Sequence, residues 1–144
     1  MLPYYAERFP TVEINYTFYR ASTETILQGW DKTTPARFKL TLKAPKRITQ
    51  DTRLRDCADR VRQFLETAAV FGPQLGALLF QLPPNVKKDV ALSDAFLDAF
   101  PPHVCAAFEF RHASWLDEEI YSRCARATWR CASPTARSCR PRWR

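Results

Sequence analysis

The sequence has 144 residues, 46% of them hydrophobic, which suffices for one domain with a buried core and is too apolar for a disordered chain. It has no apolar run of about 18 residues and no signal-peptide pattern, which argues against a membrane partner and predicts a cytoplasmic location. The net charge of +7 lies in residues 123–144, because residues 1–122 hold 15 basic and 15 acidic residues, and this balance argues against strong polyanion binding by the body of the chain.

Four short apolar runs alternate with segments of helical periodicity. The predicted strands span residues 11–15, 38–43, 77–82 and 106–111. Because strands that alternate with helices form βα units, the sequence predicts an α/β fold with a parallel sheet.

The segments between the strands have the spacing of amphipathic helices. The clearest covers residues 52–71, where apolar residues recur every three or four positions and a Gly-Pro pair follows. A second helix is predicted to begin with Ser93 as its N-cap and to end at Pro101, and a third to begin at Ser114. Residues 22–30 form a shorter and more polar helix candidate.

Residues 123–144 follow neither period and are rich in Arg, Cys, Ser, Pro and Trp. Back-translation from Thr128 onward permits, one base earlier, the string NVALCIADSEKL, which has the pattern of a strand that ends in an acid. We therefore predict a frameshift shortly before Thr128, a folded domain over residues 1–122, and a disordered, out-of-frame tail over residues 123–144. A basic tail that binds nucleic acid is the alternative. The five cysteines include no Cys-x-x-Cys pair, so neither a disulfide framework nor a zinc site is predicted.

Polar side chains gather at or just beyond the carboxyl-terminal ends of the four predicted strands. Because these ends share one rim in a parallel α/β fold, we expect the side chains to converge on one mouth. The residues are Glu13, Asn15, Lys43, Gln81, Glu109, Arg111, His112 and Trp115.

Each of these residues also has a structural interpretation. An ion pair between Glu109 and Lys43 would brace the rim, His112 alone is typical of a hydrogen-bonded structural histidine, and Trp115 is typical of a core residue or a pocket wall. The convergence of several polar groups favours a site, since burying them without partners is costly. With three glycines in the chain, a glycine-rich phosphate loop is excluded.

Four motifs occur in order along the chain: YYAERFPTVEINYTFYR (4–20), FKLTLKAPKRIT (38–49), LGALLFQLPP (75–84) and FEFRHASW (108–115). In these motifs the chain resembles the domain-of-unknown-function-72 (DUF72, YecE-like) family. The resemblance implies a TIM-type (β/α)₈ barrel of bacterial or archaeal type, normally about twice this length and without an assigned activity. It also adds Tyr19 to the polar rim.

The chain departs from the family pattern at both ends. The family's Gly-rich first strand is missing, and nothing like its sixth to eighth strands is legible. The resemblance therefore implies a partial barrel that covers roughly strands 2–5. Such a half-barrel has two open edges and is expected to self-associate.

The favoured function is acid–base chemistry, such as hydrolysis, on a small polar or phosphorylated substrate. Glu109, His112 and Glu13 are the predicted catalytic residues, with Lys43 and Arg111 steadying negative charge. The other predicted substrate-binding residues are Asn15, Tyr19, Gln81 and Trp115.

Two alternatives compete with an enzyme. One is a nucleic-acid-binding barrel that uses the basic residues between Lys43 and Arg55 together with nearby aromatic side chains. The other is a truncated chain without function. No cofactor is predicted, and a divalent metal at the rim carboxylates is left open.

Overall fold

The computed structural model describes residues 2–19, 24–101, 104–127 and 129–132. The strands in these ranges are β1 (Thr11–Ile14), β2 (Lys39–Lys43), β3 (Leu75–Gln81), β4 (Ala106–Glu109) and β5 (Arg130–Ala132). The α helices are α1 (Leu2–Ala6), α2 (Tyr16–Tyr19), α3 (Glu24–Lys32), α4 (Ala58–Ala68), α5 (Val90–Leu97) and α6 (Glu118–Arg126). A π-helical turn covers Arg47–Asp51, and 3₁₀ turns cover Ala69–Gln74 and Ala113–Trp115. Within the part of the chain described, no helix is long and apolar enough to cross a membrane.

The five described strands form one parallel sheet whose spatial order equals the chain order, β1-β2-β3-β4-β5. Each connection therefore adds a strand at the same edge, and because crossovers between parallel strands are right-handed, the connections all lie on one face. A doubly wound sheet reverses its order at a switch point, whereas a (β/α)₈ barrel keeps it. The predicted α/β fold with parallel strands of the barrel type is confirmed.

Alternate residues of the inner strands form the core. Leu40 and Leu42 in β2, Leu78 and Phe80 in β3, and Phe108 in β4 are all 0% exposed. These side chains meet the helices that cover one face of the sheet. Because successive side chains of a strand point to opposite faces, the residues between them lie on the face away from the helices.

An aromatic cluster around Phe80 occupies the centre of this core. The centroid of the Phe80 ring lies between 5.2 and 6.3 Å from the centroids of five other rings. These rings belong to Phe64, Phe96, Phe100, Phe108 and Trp129. Four of the five contacts are edge-to-face, the arrangement that the aromatic quadrupole favours.

Helix α4 begins at Ala58, later than the sequence predicts. Arg53, Leu54 and Asp56 have φ angles of 50°, 69° and 44°, and residues in this left-handed region cannot continue a right-handed helix. Leu54 lies in a turn before the helix, and its side chain is buried in the core. This burial explains why the apolar periodicity of the sequence begins before Ala58. The α helix also ends earlier than predicted, at Ala68, and a 3₁₀ turn follows in which Gly72 has a φ of 45° and a non-helical backbone.

The two predicted serine caps are wrong. In α5 the N-cap is Asp89, whose side chain accepts a hydrogen bond from the Leu92 amide at 3.0 Å, and Ser93 is buried inside the helix. In α6 the N-cap is Asp117, and Ser114 lies in the preceding 3₁₀ turn. In each helix an aspartate, and not the predicted serine, accepts the capping hydrogen bond.

The sheet continues past the predicted domain boundary between residues 122 and 123. That boundary falls inside α6, and β5 pairs in parallel with β4. Trp129 is 4% and Cys131 9% exposed, so both contribute to the core. Residues 133–144 of the predicted disordered tail lie outside the described residues, and the frameshift stays a prediction.

We expect Arg53→Gly to raise the free energy of unfolding by about 0.5–1 kcal/mol. Arg53 is exposed and has a φ of 50°, at which the Cβ atom of a non-glycine residue clashes with the backbone. Glycine removes this clash, and the greater conformational freedom that it gives the unfolded chain offsets part of the stabilisation. Equilibrium urea unfolding measures the change. The control Arg62→Gly, inside α4, should lower the same quantity by about 1 kcal/mol. A loss of stability in Arg53→Gly would contradict the prediction.

Candidate functional site at the carboxyl-terminal edge of the sheet

Polar residues occupy the face of the sheet that points away from the helices. Gln81 on β3 and Glu109 on β4 are register partners. Glu13 on β1 and Lys43 on β2 occupy the same face, because they alternate with the buried residues of their strands. We call these four residues the polar sheet face.

Glu109 is the centre of a hydrogen-bonded group on this face. The Nε2 atom of Gln81 donates a hydrogen bond to Oε1 of Glu109 at 2.8 Å, and Nε of Arg111 lies 3.6 Å from the same oxygen. Gln81 is held in turn, because Gln50 Nε2 donates to its main-chain carbonyl oxygen at 3.1 Å. The Glu109 side chain is 20% exposed, so it is partly desolvated and still open to a ligand. We call Gln81, Glu109 and Arg111 the Glu109 cluster.

His112 follows the Glu109 cluster and has a fixed ring orientation. Its Nδ1 atom accepts a hydrogen bond from the Ser114 amide at 3.1 Å and lies 2.8 Å from the Ser114 hydroxyl. That hydroxyl accepts from the Lys88 amide at 2.8 Å, which leaves its own proton for Nδ1. Because Nδ1 acts as an acceptor, the ring proton is on Nε2, and His112 offers a hydrogen-bond donor at the rim.

Lys88 ties the loop after β3 to the start of α6. Its ammonium group donates hydrogen bonds to Asp117 and, at 3.3 Å, to Glu119. The pKa of Asp117 is lowered, first by the hydrogen bond from Lys88 and then by the Ile120 amide, and these same carboxylates raise the pKa of Lys88. The ion pair thus anchors the loop whose main chain supports Ser114 and His112.

The stability that Asp117 contributes is expected to depend on pH. Because its pKa is lower in the folded than in the unfolded state, the contribution is complete above the unfolded value of about 3.9 and is lost as the pH falls through the folded value. The difference in Tm between the wild type and Asp117→Asn should therefore be constant from about pH 5 to 8 and shrink below about pH 4. Thermal unfolding followed by circular dichroism tests this. A difference that grows at acidic pH would contradict it.

Glu13 lies far from Glu109 on the sheet. Glu13 pairs with Thr41 on β2, and Thr41 pairs with Ala77 on β3. The register of β3 and β4 puts Ala77 level with Cys105, which precedes Glu109 by four positions. With usual strand spacings, the main-chain positions of the two residues are about 14 Å apart across the sheet and about 13 Å along it. The structure therefore does not bring them together as a carboxylate pair.

Asn15 and Tyr19 lie at the end of β1, away from the Glu109 cluster. The Asn15 carbonyl accepts from the Phe18 amide at 3.1 Å and so begins the turn of α2. Tyr19 is 76% exposed, with its ring 5.0 Å from that of Phe18. Both are on the predicted rim, at the edge strand.

Lys43 does not form the ion pair with Glu109 that the sequence suggested. Its ammonium group lies 4.9 Å above the Phe18 ring, in a cation–π contact. The register explains this, since Lys43 is level with Leu79 and two strands from Glu109. The cation next to Glu109 is Arg111.

Trp115 belongs to the core beneath the rim. It is 1% exposed, its ring stacks on Phe110 at 4.8 Å, and its Nε1 atom donates to the Val86 carbonyl at 2.8 Å. Of its two predicted roles, ligand contact and core, the structure agrees with the core. Its contribution to the site is to fix the backbone on which His112 and Ser114 lie.

Two residues that position the site were not predicted from the sequence. Ser114 was assigned a capping role and instead orients His112. Gln50 was not considered, because nothing in a turn after β2 signals contact with β3. In the sequence, the His-x-Ser spacing of His112 and Ser114 is the one local sign of this contact. It indicates the direction of the hydrogen bond only once the Lys88 amide is known to donate to the Ser114 hydroxyl oxygen.

Among the described side chains, the rim carboxylates are not grouped with further metal ligands. Within the described ranges, no three His, Cys, Asp or Glu side chains are grouped so that they could hold an ion. Since magnesium and calcium prefer several oxygen ligands, a divalent ion here would need ligands beyond these side chains.

Comparison with known proteins identifies similar chains. The model of the family described as "Protein of unknown function DUF72" matches residues 1–136. UPF0759 protein YunF of Bacillus subtilis (strain 168) is 26% identical over 127 residues, which cover 83% of this chain and 45% of YunF. This chain thus spans about half the length of that curated relative.

Solved structures of two relatives have a similar fold. A DUF72 family protein from Enterococcus faecalis V583 superposes with a TM-score of 0.76 at 20% identity, covering 90% of this chain and 57% of its own. A DUF72 family protein from Thermotoga maritima MSB8 gives a TM-score of 0.74 at 25% identity, covering 90% and 53%. The continuous sheet β1 to β5 therefore follows an architecture known from crystal structures.

Proposed function

We propose that this chain, which belongs to the DUF72 family of proteins of unknown function, carries an acid–base site for a small polar or phosphorylated substrate at the Glu109 cluster. The observation that supports the proposal is the held and partly exposed Glu109 carboxylate, with Gln81 at 2.8 Å and Arg111 at 3.6 Å. A general acid or base must be fixed in place and reachable by the substrate, and Glu109 meets both needs.

The neighbouring groups have complementary roles in this proposal. Arg111 is 48% exposed and can place its guanidinium group on negative charge of the substrate. His112 presents its Nε2 proton as a donor, so it can hydrogen-bond a substrate oxygen or deliver that proton. Hydrolysis of a phosphate ester can use these elements: a proton carrier, a cation that stabilises negative charge and a hydrogen-bond donor to the leaving oxygen.

The test measures release of p-nitrophenol from p-nitrophenyl phosphate, bis-p-nitrophenyl phosphate and p-nitrophenyl glycosides. We expect Glu109→Gln to lower kcat/KM at least about 100-fold, because the amide cannot transfer the proton. Glu66→Gln, an exposed carboxylate on α4, is the matched control and should keep full activity.

A second measurement separates catalysis from structure. Thermal unfolding of Glu109→Gln should stay within a few degrees of the wild type, because the amide can still accept from Gln81 and loses only the contact with a half-exposed Arg111. Equal turnover by the wild type and Glu109→Gln would overturn the proposal. The equivalent substitution in a full-length relative provides the same comparison in a longer chain.

A nucleic-acid-binding function is the second candidate. The observation in its favour is an exposed aromatic side chain beside basic residues, since Tyr19 is 76% exposed and lines the same recess as Lys46 and Arg47. Binding of single-stranded oligonucleotides with a steep salt dependence, lost in Tyr19→Ala, would favour this candidate.

A further inference from the structure

A recess lies on the helix side of the sheet, and none of the residues that line it belongs to the Glu109 cluster. It is a cavity of about 390 Å³ between α2, the π-helical turn Arg47–Asp51 and α4. Its volume is in the range of small-molecule sites. We call it the α4 pocket.

The floor of the α4 pocket is apolar. Leu42, Ile48 and Phe64 line it and are at most 6% exposed, and the Phe18 ring forms part of the wall. The exposed Tyr19 stands at the same wall. An apolar or aromatic group of a ligand would lose its water against these side chains, which favours binding.

The rim of the pocket carries positive charge that no described carboxylate fully pairs with. Lys46 lies 3.8 Å from Asp51, so these two charges largely cancel. Arg47 and Arg60 also line the pocket, and no carboxylate among the described side chains comes within 4.0 Å of either guanidinium group. Two guanidinium groups at one apolar recess are suited to a carboxylate or phosphate.

The local backbone accounts for this arrangement. Arg60, Gln63 and Thr67 recur at positions i, i+3 and i+7 of α4 and so form one stripe beside the buried Phe64. Arg47 begins a π-helical turn, a rare element that is frequent at functional sites. The α4 stripe and the turn place their cations on the same opening.

We propose that the α4 pocket binds a small organic anion that combines an apolar body with a phosphate or carboxylate head. The body packs against Leu42, Ile48 and Phe64, and the head pairs with Arg47 and Arg60. The pocket is separate from the Glu109 cluster, so this inference is independent of the proposed catalysis.

The test titrates the full chain with phenyl phosphate and benzoate by isothermal titration calorimetry. Inorganic phosphate and benzyl alcohol supply the head and the body alone. We expect saturable one-to-one binding of phenyl phosphate or benzoate, at least about fivefold tighter than either part alone. Equal affinity for inorganic phosphate would overturn the role of the apolar floor, and equal affinity for benzyl alcohol would overturn the role of the arginines.

Variants identify the site. Arg47→Gln/Arg60→Gln should weaken binding at least about tenfold, since it removes both charge-assisted contacts. Thr67→Phe should block binding by filling the recess. Arg62→Gln is the matched control, because Arg62 is on the same helix, is paired with Asp59 at 2.8 Å and does not line the pocket. Unchanged affinity in the double variant, or no saturation in the millimolar range with the wild type, would overturn the proposal.

Discussion

Trp129→Ala is expected to lower the free energy of unfolding by about 3–5 kcal/mol. The Trp129 side chain is 4% exposed, meets Phe100 edge-on at 4.5 Å and stacks on Phe108 at 4.8 Å. Removing the indole leaves a large cavity, because the rings around it belong to different elements and cannot all move inward. Since domains of this size are stable by only about 5–15 kcal/mol, a loss of this size unfolds a large fraction of a marginal chain.

Urea unfolding followed by far-UV circular dichroism measures this loss. Tyr4→Ala is the control, because Tyr4 is 59% exposed and its replacement should change stability by less than about 1 kcal/mol. The result also bears on the chain after residue 122. If Trp129→Ala behaves like Tyr4→Ala, the segment that contains β5 is not part of the fold, as the sequence had predicted for residues 123–144.

Phe80→Ala is expected to cost a similar amount, about 3–5 kcal/mol. Phe80 is 0% exposed and is the one ring of the described aromatic cluster that touches all five others. Its loss removes an apolar side chain and five ring contacts at once. Phe9→Ala, a phenylalanine that is 53% exposed, is the matched control and should cost less than about 1 kcal/mol.

The two substitutions should not be additive. The Phe80 and Trp129 rings are 5.4 Å apart, so each single variant already removes their mutual contact. We expect the double variant to lose about 0.5–3 kcal/mol less than the sum of the single losses. Strict additivity would show that the rings do not share one packed core.

The strands and their polar ends could be predicted because both follow from local pattern. An apolar run such as residues 77–82 is too short for a helix and too apolar for a loop, and a polar residue at its end must find water or a partner. Parallel pairing then brings Gln81 beside Glu109. Assigning the strands and their polar ends needs no information from distant parts of the chain, whereas this pairing joins residues 28 positions apart.

Register and left-handed residues could not be predicted in this way. The distance between Glu13 and Glu109 depends on how three strand pairs are aligned, and no single strand contains that information. The start of α4 depends on positive φ angles at Arg53 and Leu54, residue types that rarely adopt them. In both cases tertiary packing overrides a correct local pattern.

The tail illustrates the same limit at the level of composition. Arg130 to Ala132 is too short and too polar in its surroundings to be recognised as a strand, yet it pairs with β4. The residue that holds this strand in place is Trp129, one position earlier, whose ring packs between Phe100 and Phe108. Only the three-dimensional structure reveals this packing.

The equality of spatial and chain order in the sheet has a consequence for synthesis on the ribosome. Each strand finds its partner already made when it emerges, so the sheet can grow from β1 to β5 during translation without waiting for a later strand. The aromatic cluster is different, because its members extend from Phe64 to Trp129. We therefore expect strand pairing to begin early and the aromatic cluster to be completed only after Trp129 has emerged.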